Sequence, residues 1–277
     1  MRISTSLATL GRAVQQGELR TVVHDRLFAG RRRLQGSPDA VEENWSARRI
    51  NQLHAALPWM RSYLEIGLAE GHTFENVYLP IRVGVDPRPR FDTEHLPEGA
   101  EVFATTSDRF FATNERRFDL VFVDGLHTFE QTYRDLVNAF QVCPSGGVLV
   151  DDVVPSDGVS AMRDLERSMA ERERRGLPGS PWHGDVYRMV LCLVEHHYEL
   201  EFRTIVGSGN PQLLAWKPDP ERVTSPVSNG VLLTYASASF EEVFSQGVPA
   251  SFRPSSEDEA LTQAVAALKA RYGDAEA

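Results

Sequence analysis

Three aspartates and a histidine stand where two apolar segments of the chain end. Asp124 and His127 follow the apolar run at residues 118–123. Asp151 and Asp152 follow a second run further along the chain. Carboxylates are the hard oxygen ligands that Mg²⁺ accepts, and a neutral imidazole can remove a proton near pH 7. The pattern therefore favours a site for metal-assisted proton removal, with solvated strand ends and capping aspartates as the alternative interpretation.

The two apolar runs have the composition of strands buried on both faces of a parallel sheet. Each is short, rich in Val, Leu or Phe, and followed directly by polar residues. Ligands of open α/β sheets bind at the carboxyl ends of the strands. We therefore expect the acids and the imidazole to share one edge of the sheet. Packing alone explains three carboxylates at one edge poorly, because unpaired buried charge is unfavourable.

An earlier strand end carries small residues suited to close approach by a ligand. The turn at residues 65–71 has Gly67, Ala69 and Gly71 at alternate positions. Small residues there let the backbone approach a ligand and let the amides of the next helix face it. The turn lacks the third glycine of a dinucleotide fingerprint. Taken alone it is a weak signal, since strand–turn–helix junctions use glycine anyway.

Acids at the next two strand ends strengthen this interpretation. Asp86 ends the second strand, where a carboxylate can accept hydrogen bonds from both ribose hydroxyls. Ser107 and Asp108 follow the third strand and would face an adenine edge. Each residue could be a simple turn former, but their placement at successive strand ends favours a nucleotide-like ligand.

The segment 58–219 alternates strand patterns with helical stripes, which predicts βαβ units and a mainly parallel sheet. Two further strands separated by a glycine-rich turn predict a hairpin at the end of this core. The helices predicted in its second half span residues 128–140, 157–174 and 185–198, and the hairpin strands span 199–206 and 212–216.

Two segments extend beyond this core, residues 1–57 and residues 220–277. In the first, a Ser-Pro pair at residues 37–38 predicts the start of an accessory helix that runs to residue 57. The second ends in an amphipathic helix. A homo-oligomer is expected because these segments exceed what the core needs, and because the last helix has an apolar stripe of Leu261, Val265 and Leu268.

Composition limits the class of protein. The chain has 277 residues, 42% of them hydrophobic, and a formal charge of −10, which argues against nucleic-acid binding. No apolar run approaches the ~20 residues of a membrane span. Cys143 and Cys192, the two cysteines, have no metal-ligand spacing. We therefore expect a cytoplasmic protein with a small-molecule partner and with neither nucleic acid nor membrane as partner.

The strand-end motifs described above, taken in their order along the chain, resemble those of class I S-adenosylmethionine-dependent methyltransferases. They resemble more narrowly a group of small-molecule enzymes, methyltransferase family 24, and the resemblance covers about residues 60 to 217. It implies a Rossmann-like seven-stranded α/β sheet whose last two strands form an antiparallel hairpin. The segments that carry it are residues 64–71, 84–86, 118–128, 146–152 and 184–188.

The resemblance assigns cofactor roles to several residues. It implies that Glu65, Gly67, Gly71 and Thr73 surround the methionine part of S-adenosylmethionine, with Thr73 near its carboxylate. Asp86 would hold the ribose. Ser107 and Asp108 would lie on the adenine side, and Asp124 would border the cofactor. The chain departs from the commonest motif at Ala69, where a methyl group should be tolerated.

The same resemblance extends to metal-dependent O-methyltransferases of the catechol and macrolide-sugar types. It implies Mg²⁺ ligands at Asp124, Asp151 and Asp152, with Asp124 and His127 as catalytic residues. His127 stands where the catechol enzymes carry a lysine base, although a histidine at a helix start can also bond only to backbone. Further along the chain, a loop with His183 and Asp185 would contact the substrate.

These observations predict a Mg²⁺-dependent O-methyltransferase that uses S-adenosylmethionine and acts on a hydroxyl of a natural product or sugar. A metal-independent small-molecule methyltransferase is one alternative. A non-catalytic protein that binds S-adenosylmethionine is another.

Overall fold

A computed structural model describes residues 44–272 of the chain. Within them eight strands form one sheet: β1 Ser62–Ile66, β2 Ile81–Val85, β3 Ala100–Phe103, β4 Leu120–Val123, β5 Gly147–Val150, β6 Glu201–Ile205, β7 Gln212–Trp216 and β8 Pro254–Ser255. Their order across the sheet is β3-β2-β1-β4-β5-β7-β6-β8. Strands β1 to β5 are parallel, and β7 is antiparallel to both β5 and β6. The predicted seven-stranded sheet is confirmed, with the two-residue β8 added at its edge.

Helices flank both faces of this sheet. They are α1 Trp45–Ala56, α2 His72–Asn76, α3 Ser107–Thr113, α4 Phe129–Val142, α5 Leu165–Arg175, α6 Tyr187–His196, α7 Asn229–Tyr235, α8 Phe240–Phe244 and α9 Glu257–Tyr272, with a 3₁₀ turn at Ala250–Phe252. From residue 44 to residue 272, none of the helices combines the length and the apolar character needed to cross a bilayer.

The central strands are buried on both faces, as their continuous apolar runs predict. Alternate residues of β4 enter opposite layers of the core. Val121 and Val123 join the layer that contains α4 and α6. Leu120 and Phe122 join the layer that contains α1 and α9. Because β1 to β5 are parallel and fixed in this way, the segments that follow them all emerge at one edge of the sheet.

One predicted helix begins later than its sequence indicates. The prediction was residues 157–174, whereas α5 begins at Leu165 and is capped by Asp164. The residues before it form turns, because the Asp157 side chain accepts the amide hydrogens of Val159 and Ser160 at 2.9 and 2.7 Å. Such local side-chain bonds compete with the helical pattern. A capping box formed by Ser239 and Glu242 begins α8.

The helices of the two terminal segments pack on the sheet and on each other. In α9, Ala264 and Leu268 are fully buried in the core layer that also holds Leu53 of α1. Of the apolar stripe that motivated a homo-oligomer, Leu268 is buried and Leu261 and Val265 are partly buried against the same layer, so the stripe is largely used within the chain. The helix start predicted at residues 37–38 lies outside the described residues.

Candidate active site

The ends of β4 and β5 bring two carboxylates and one imidazole together, and we call Asp124, His127 and Asp152 the catalytic corner. The Nδ1 atom of His127 lies 2.8 Å from Oδ2 of Asp152, and Nε2 lies 3.3 Å from Oδ1 of Asp124. One ligand atom from each residue lies within 4.8 Å of the others. Such a set could hold a divalent cation. All three side chains are partly exposed, so the corner is open to small molecules.

His127 is fixed in this corner by the loop that precedes α6. Its ring stacks on Trp182, with centroids 4.8 Å apart and planes at 20°. Nδ1 also lies 3.1 Å from the carbonyl oxygen of Trp182. A Cβ on Gly184 would lie 1.7 Å from the carbonyl oxygen of His127, so only glycine allows the loop to approach this closely. The ring orientation is therefore determined by residues that sequence analysis did not connect with His127.

The charges in the corner shift its pKa values in opposite directions. Burial alone would lower the pKa of His127, but Asp152 and Asp124 raise it well above its ordinary value. Burial would raise the pKa of Asp152, yet His127 lowers it overall. Burial raises the pKa of Asp124, against the hydrogen bond from His127. The two carboxylates therefore favour the protonated form of the His127 imidazole.

Asp151, the third predicted metal ligand, points to a different set of partners. Both of its carboxylate oxygens accept hydrogen bonds from Nδ2 of Asn210, at 2.9 and 2.7 Å. Oδ2 also accepts from Gln212 at 3.1 Å, and Oδ1 accepts the amide hydrogen of Asp152 at 2.8 Å. Burial, together with the charges of Asp124 and Asp152, raises the pKa of Asp151 well above its ordinary value. Asp151 is thus oriented by its own partners directly beside the group formed by Asp124, His127 and Asp152.

Asp152 has a backbone conformation that is uncommon for a residue with a side chain. Its φ angle is +63°, in the left-handed region. Aspartate and asparagine enter that region more readily than most residues, but the conformation still has to be held by its surroundings. Two of these constraints are the hydrogen bond from the Asp152 amide to the Asp151 carboxylate and the ion pair with His127. Asp152 therefore faces His127 because its backbone turns sharply at the end of β5.

The turn after β1 lies against the catalytic corner. Gly67 has φ +89°, and a Cβ at this position would lie 2.0 Å from the carbonyl oxygen of Asp124. Glycine is thus required both by the backbone angle and by the contact. Ala69 also has a positive φ, +47°. Gly71, at φ +76°, is the N-cap of the short helix α2. The predicted cofactor turn and the predicted catalytic residues are therefore adjacent.

Asp86 closes this turn from the end of β2. Its Oδ2 accepts the amide hydrogens of Leu68 and Ala69 at 2.9 and 3.0 Å, and its Oδ1 accepts that of Arg88 at 2.6 Å. The carboxylate predicted to bind ribose thus also holds the small-residue turn in shape.

Glu65 and Thr73, both predicted near the methionine part of the cofactor, have neighbours of their own. Glu65 is buried and accepts a 2.6 Å hydrogen bond from the Tyr63 hydroxyl. Burial raises the pKa of Glu65 well above its ordinary value, against that hydrogen bond. The hydroxyl of Thr73 lies 3.4 Å from Oδ1 of Asn44, the residue that caps α1. The N-terminal segment therefore reaches the predicted cofactor site.

The predicted adenine side contains an acid that sequence analysis missed. Nε2 of Gln131 contacts Ser107, Asp108 and Asp135 at 3.1, 3.2 and 3.1 Å. Asp135 is almost fully buried in α4. Burial raises its pKa to about 6, against hydrogen bonds from Ser107 and Gln131. Its signal in the sequence is a single acid inside the apolar stripe of α4.

The sequence matches the model of methyltransferase family 24, described as a methyltransferase domain, over residues 5–153, which is more than half of the chain. The chain belongs to this family. The resemblance seen in its motifs is confirmed, and the protein is an S-adenosylmethionine-dependent methyltransferase. The matched segment contains β1 to β5 and the catalytic corner. It begins before residue 60 and ends before residue 217, the limits of the motif resemblance.

Several solved structures are similar to this methyltransferase. PaMTH1 of Podospora anserina, an SAH-bound methyltransferase, is 14% identical, covers 79% of this chain and 99% of its own, and has a TM-score of 0.48. Cofactor-bound Rv0187 from MTB is 17% identical over 78% and 99% of the two chains, with a TM-score of 0.45. An O-methyltransferase from Bacillus cereus in complex with SAH is 14% identical over 78% and 93%, with a TM-score of 0.41.

No curated protein sequence matches the chain. Similarities as low as those of the solved structures do not transfer a substrate or a metal to this methyltransferase.

The loop predicted to contact substrate contains two residues with different surroundings. His183 is partly buried, and its Nδ1 atom has no hydrogen-bond partner within the described part of the chain. Burial lowers the pKa of His183, against the charge of Asp152. Asp185 is fully buried and accepts bonds from the amide of Phe129 at 2.7 Å and from Arg188 at 2.7 Å. Its carboxylate therefore links the start of α4 to the first turn of α6 through these hydrogen bonds.

A cleft of about 660 Å³ opens beside the same loops of the methyltransferase. Leu126 and Thr128, which flank His127, line one side of it. Phe240 of α8 lines another side, so the C-terminal segment contributes a wall. Leu126 is 54% exposed at the cleft. Sequence analysis assigns no role to Leu126, although it lies in one of the motif segments, and none to Phe240.

Proposed function

We propose that this methyltransferase transfers the methyl group of S-adenosylmethionine to a hydroxyl oxygen of a small molecule with the help of Mg²⁺. The observation that carries the proposal is the catalytic corner, in which Asp124, His127 and Asp152 approach within 4.8 Å beside the Gly67 turn. The family resemblance supports a polyhydroxylated natural product or a sugar as the acceptor.

The chemistry of the donors in the corner fits a divalent cation. Asp124 and Asp152 offer the carboxylate oxygens that Mg²⁺ prefers, and a cation there would also offset two like charges. When bound, such a cation lowers the pKa of an acceptor hydroxyl and fixes its oxygen. Asp151 would complete the oxygen set as a third ligand, and the hydrogen bonds from Asn210 and from the amide of Asp152 orient its carboxylate.

His127 is proposed to take the proton of the acceptor hydroxyl at Nε2. Nδ1 faces both Asp152 and the carbonyl of Trp182, whereas Nε2 faces Asp124 alone at the longer distance of 3.3 Å, so Nε2 is the nitrogen better placed to exchange a proton with a substrate. The charges of Asp124 and Asp152 raise the pKa of His127 and so favour its protonated form. A cation held by Asp124 and Asp152 would offset their charges and favour the neutral imidazole that proton removal requires.

The cleft beside Leu126 is the proposed place for the body of the acceptor. Its lining joins the two neighbours of His127 to Phe240 and to Arg163, so it combines apolar surface with hydrogen-bond donors. Small-molecule sites commonly have this mixture of apolar lining and a few polar groups. Methyl transfer also requires that the acceptor oxygen be aligned with the methyl donor, and a shaped cleft next to the corner serves that alignment.

The test is a methyl-transfer assay on the purified protein. S-adenosylmethionine is mixed with a panel of vicinal diols, including catechol and hexose sugars, and demethylated cofactor is quantified. We expect its formation to depend on the acceptor, to be abolished by EDTA and to be restored by Mg²⁺. Mn²⁺ should substitute for Mg²⁺ because it accepts the same oxygen ligands.

Other outcomes of the assay select the alternatives. Full activity in excess EDTA would establish a metal-independent methyltransferase. Calorimetric binding of S-adenosylmethionine without turnover of any acceptor would favour a non-catalytic binding protein. NAD should give no binding heat, because the turn lacks the dinucleotide fingerprint.

A further inference from the structure

Arg49 of α1 is a fully buried arginine that belongs to the N-terminal segment rather than to the strand ends. Its guanidinium contacts four acceptors on three other parts of the chain. Nε donates to Glu257 of α9 at 2.9 Å. The two terminal nitrogens donate to the carbonyls of Ser208 and Asn210 at 2.6 and 2.7 Å and to Oε1 of Gln212 at 2.7 Å. A guanidinium has the fixed fork of donors that this geometry needs.

Two of these acceptors belong to residues that hold Asp151. Gln212 is fully buried, and its Nε2 reaches Oδ2 of Asp151 at 3.1 Å while its Oε1 accepts from Arg49. Asn210 gives its carbonyl to Arg49 and its side-chain amide to both oxygens of Asp151. Because an amide side chain has distinct ends, the bond from Arg49 fixes which end of Gln212 faces Asp151.

Asp151 in turn contacts the residue with the left-handed backbone. Its Oδ1 accepts the amide hydrogen of Asp152 at 2.8 Å, and Asp152 is paired with His127 at 2.8 Å. Buried hydrogen-bond chains of this kind behave as units, since each member orients the next. The chain of contacts therefore runs without a break from Glu257 and Arg49 to the catalytic corner.

We infer that Arg49 is a positioning residue for the catalytic corner, acting through Gln212, Asn210 and Asp151 on Asp152 and His127. This inference rests on the proposed function for its catalytic meaning. Helices α1 and α9 then belong to the framework of the active site, although they lie outside the strands that carry the reacting groups. A purely structural Arg49 would attach α1 to the β6–β7 hairpin and leave His127 unaffected.

The experiment compares Arg49→Met with a matched control, Lys217→Met. Lys217 is also a buried cation, follows the opposite end of β7 and donates to the carbonyl of Arg222 at 2.9 Å. Protein labelled with ¹⁵N-histidine reports on each imidazole, and the His127 signals are assigned from their loss in His127→Gln. We expect the His127 ring resonances to move in Arg49→Met and to stay at their wild-type positions in Lys217→Met.

Unmoved His127 resonances in a folded Arg49→Met protein, or equal shifts in both variants, would overturn the inference. If circular dichroism shows Arg49→Met to be unfolded, Arg49→Lys replaces it, since lysine keeps the charge beside Glu257 but cannot supply the fork. The same expectation and the same contrary result apply to that variant.

The acceptor panel separates this inference from the proposed function. If the wild type turns over a diol, Arg49→Lys should lower kcat without changing the KM for S-adenosylmethionine. Should the wild type turn over no acceptor, the proposed function fails, while the His127 resonances still decide the role of Arg49.

Discussion

The cofactor side and the catalytic corner occupy the same edge of the sheet but are held by different kinds of contact. On the cofactor side, Asp86 accepts from the amides of Leu68 and Ala69, which belong to the preceding turn. In the corner, Asp151 is held by Asn210 and Gln212, which lie 59 and 61 residues further along the chain. The first arrangement is local to one βαβ unit. The second depends on the whole sheet being assembled.

This difference implies that the two sides respond differently to damage. A local turn bonded by backbone amides can keep its shape when distant residues change. A corner supported by long-range side chains loses its geometry when any of those supports is removed, because coupled contacts are not independent. Substitutions on the cofactor side should therefore act on binding, and substitutions in the corner should act on turnover.

The largest effect is expected at Asp152, where Asp152→Asn removes the charge that faces His127. Asparagine tolerates the left-handed backbone, so the φ of +63° can be kept. We expect kcat to fall by roughly 10²–10⁴-fold, the usual range for loss of acid–base function. Cofactor affinity should change little. Steady-state kinetics with the best acceptor of the diol panel, together with calorimetry of S-adenosylmethionine, measures both.

Asp119→Asn is the control for this prediction. Asp119 precedes β4 at the opposite edge of the sheet, where its Oδ2 accepts from the amides of Arg61 and Ser62 at 2.8 and 2.9 Å. It should lower stability and leave kcat near the wild-type value. A kcat loss in Asp119→Asn as large as that in Asp152→Asn would remove the distinction between the two ends of the strands.

The second effect is expected on the cofactor side. Asp86→Ala removes the acceptor of three backbone amides and the group predicted to bind ribose. S-adenosylmethionine binding should weaken by ~1.5–3 kcal/mol, the scale of hydrogen bonds to a charged acceptor. Asp92→Ala is the control, since Asp92 follows the same strand but pairs with the exposed His95. Calorimetry showing equal losses for both variants would contradict a specific role of Asp86.

The strand ends of both sides could be predicted from the sequence because their signals are local. Apolar runs in the sequence predicted β4 and β5, and alternating small residues predicted the turn after β1 that contains Gly67. The partners in the corner could not be predicted, because periodicity carries no information about which side chains meet across the sheet. Trp182 stacks on His127 across 55 residues of sequence. For the same reason, the sequence could not show that Asn210 and Gln212 donate hydrogen bonds to Asp151.

A third effect concerns stability and its dependence on pH. Burial raises the pKa of Asp135 from 3.8 to about 6 in the folded protein. Between these two pH values the folded state holds a proton that the unfolded state has lost. The contribution of Asp135 to the free energy of unfolding is therefore fully present below pH 3.8 and is lost as pH rises through about 6. Asp135→Asn removes the ionisable group, and with it this loss of stability at high pH. At pH 8 we expect the variant to gain ~1–3 kcal/mol relative to its difference from wild type at pH 4.

Urea unfolding of both proteins at pH 4 and pH 8 measures this change in stability. Asp108 and Arg134 are the charged neighbours of Asp135, with opposite effects on its pKa. The wild-type protein is the matched reference at each pH, so shifts of other groups cancel. A difference between variant and wild type that is constant from pH 4 to pH 8 would show that folding does not shift the pKa of Asp135.

The smallest effect is expected at Asp108, which tests how far the cofactor side extends. Asp108 is exposed, and its Oδ1 is shared by Gln131 at 3.2 Å and Arg134 at 3.4 Å. The ion pairs of an exposed carboxylate contribute only about 0–1 kcal/mol of interaction free energy. Asp108→Ala should therefore weaken S-adenosylmethionine binding by less than about fivefold, in contrast to Asp86→Ala. Calorimetry on the two variants side by side measures this contrast, and an equal loss at Asp108 would mean that the adenine edge contributes as much as the ribose.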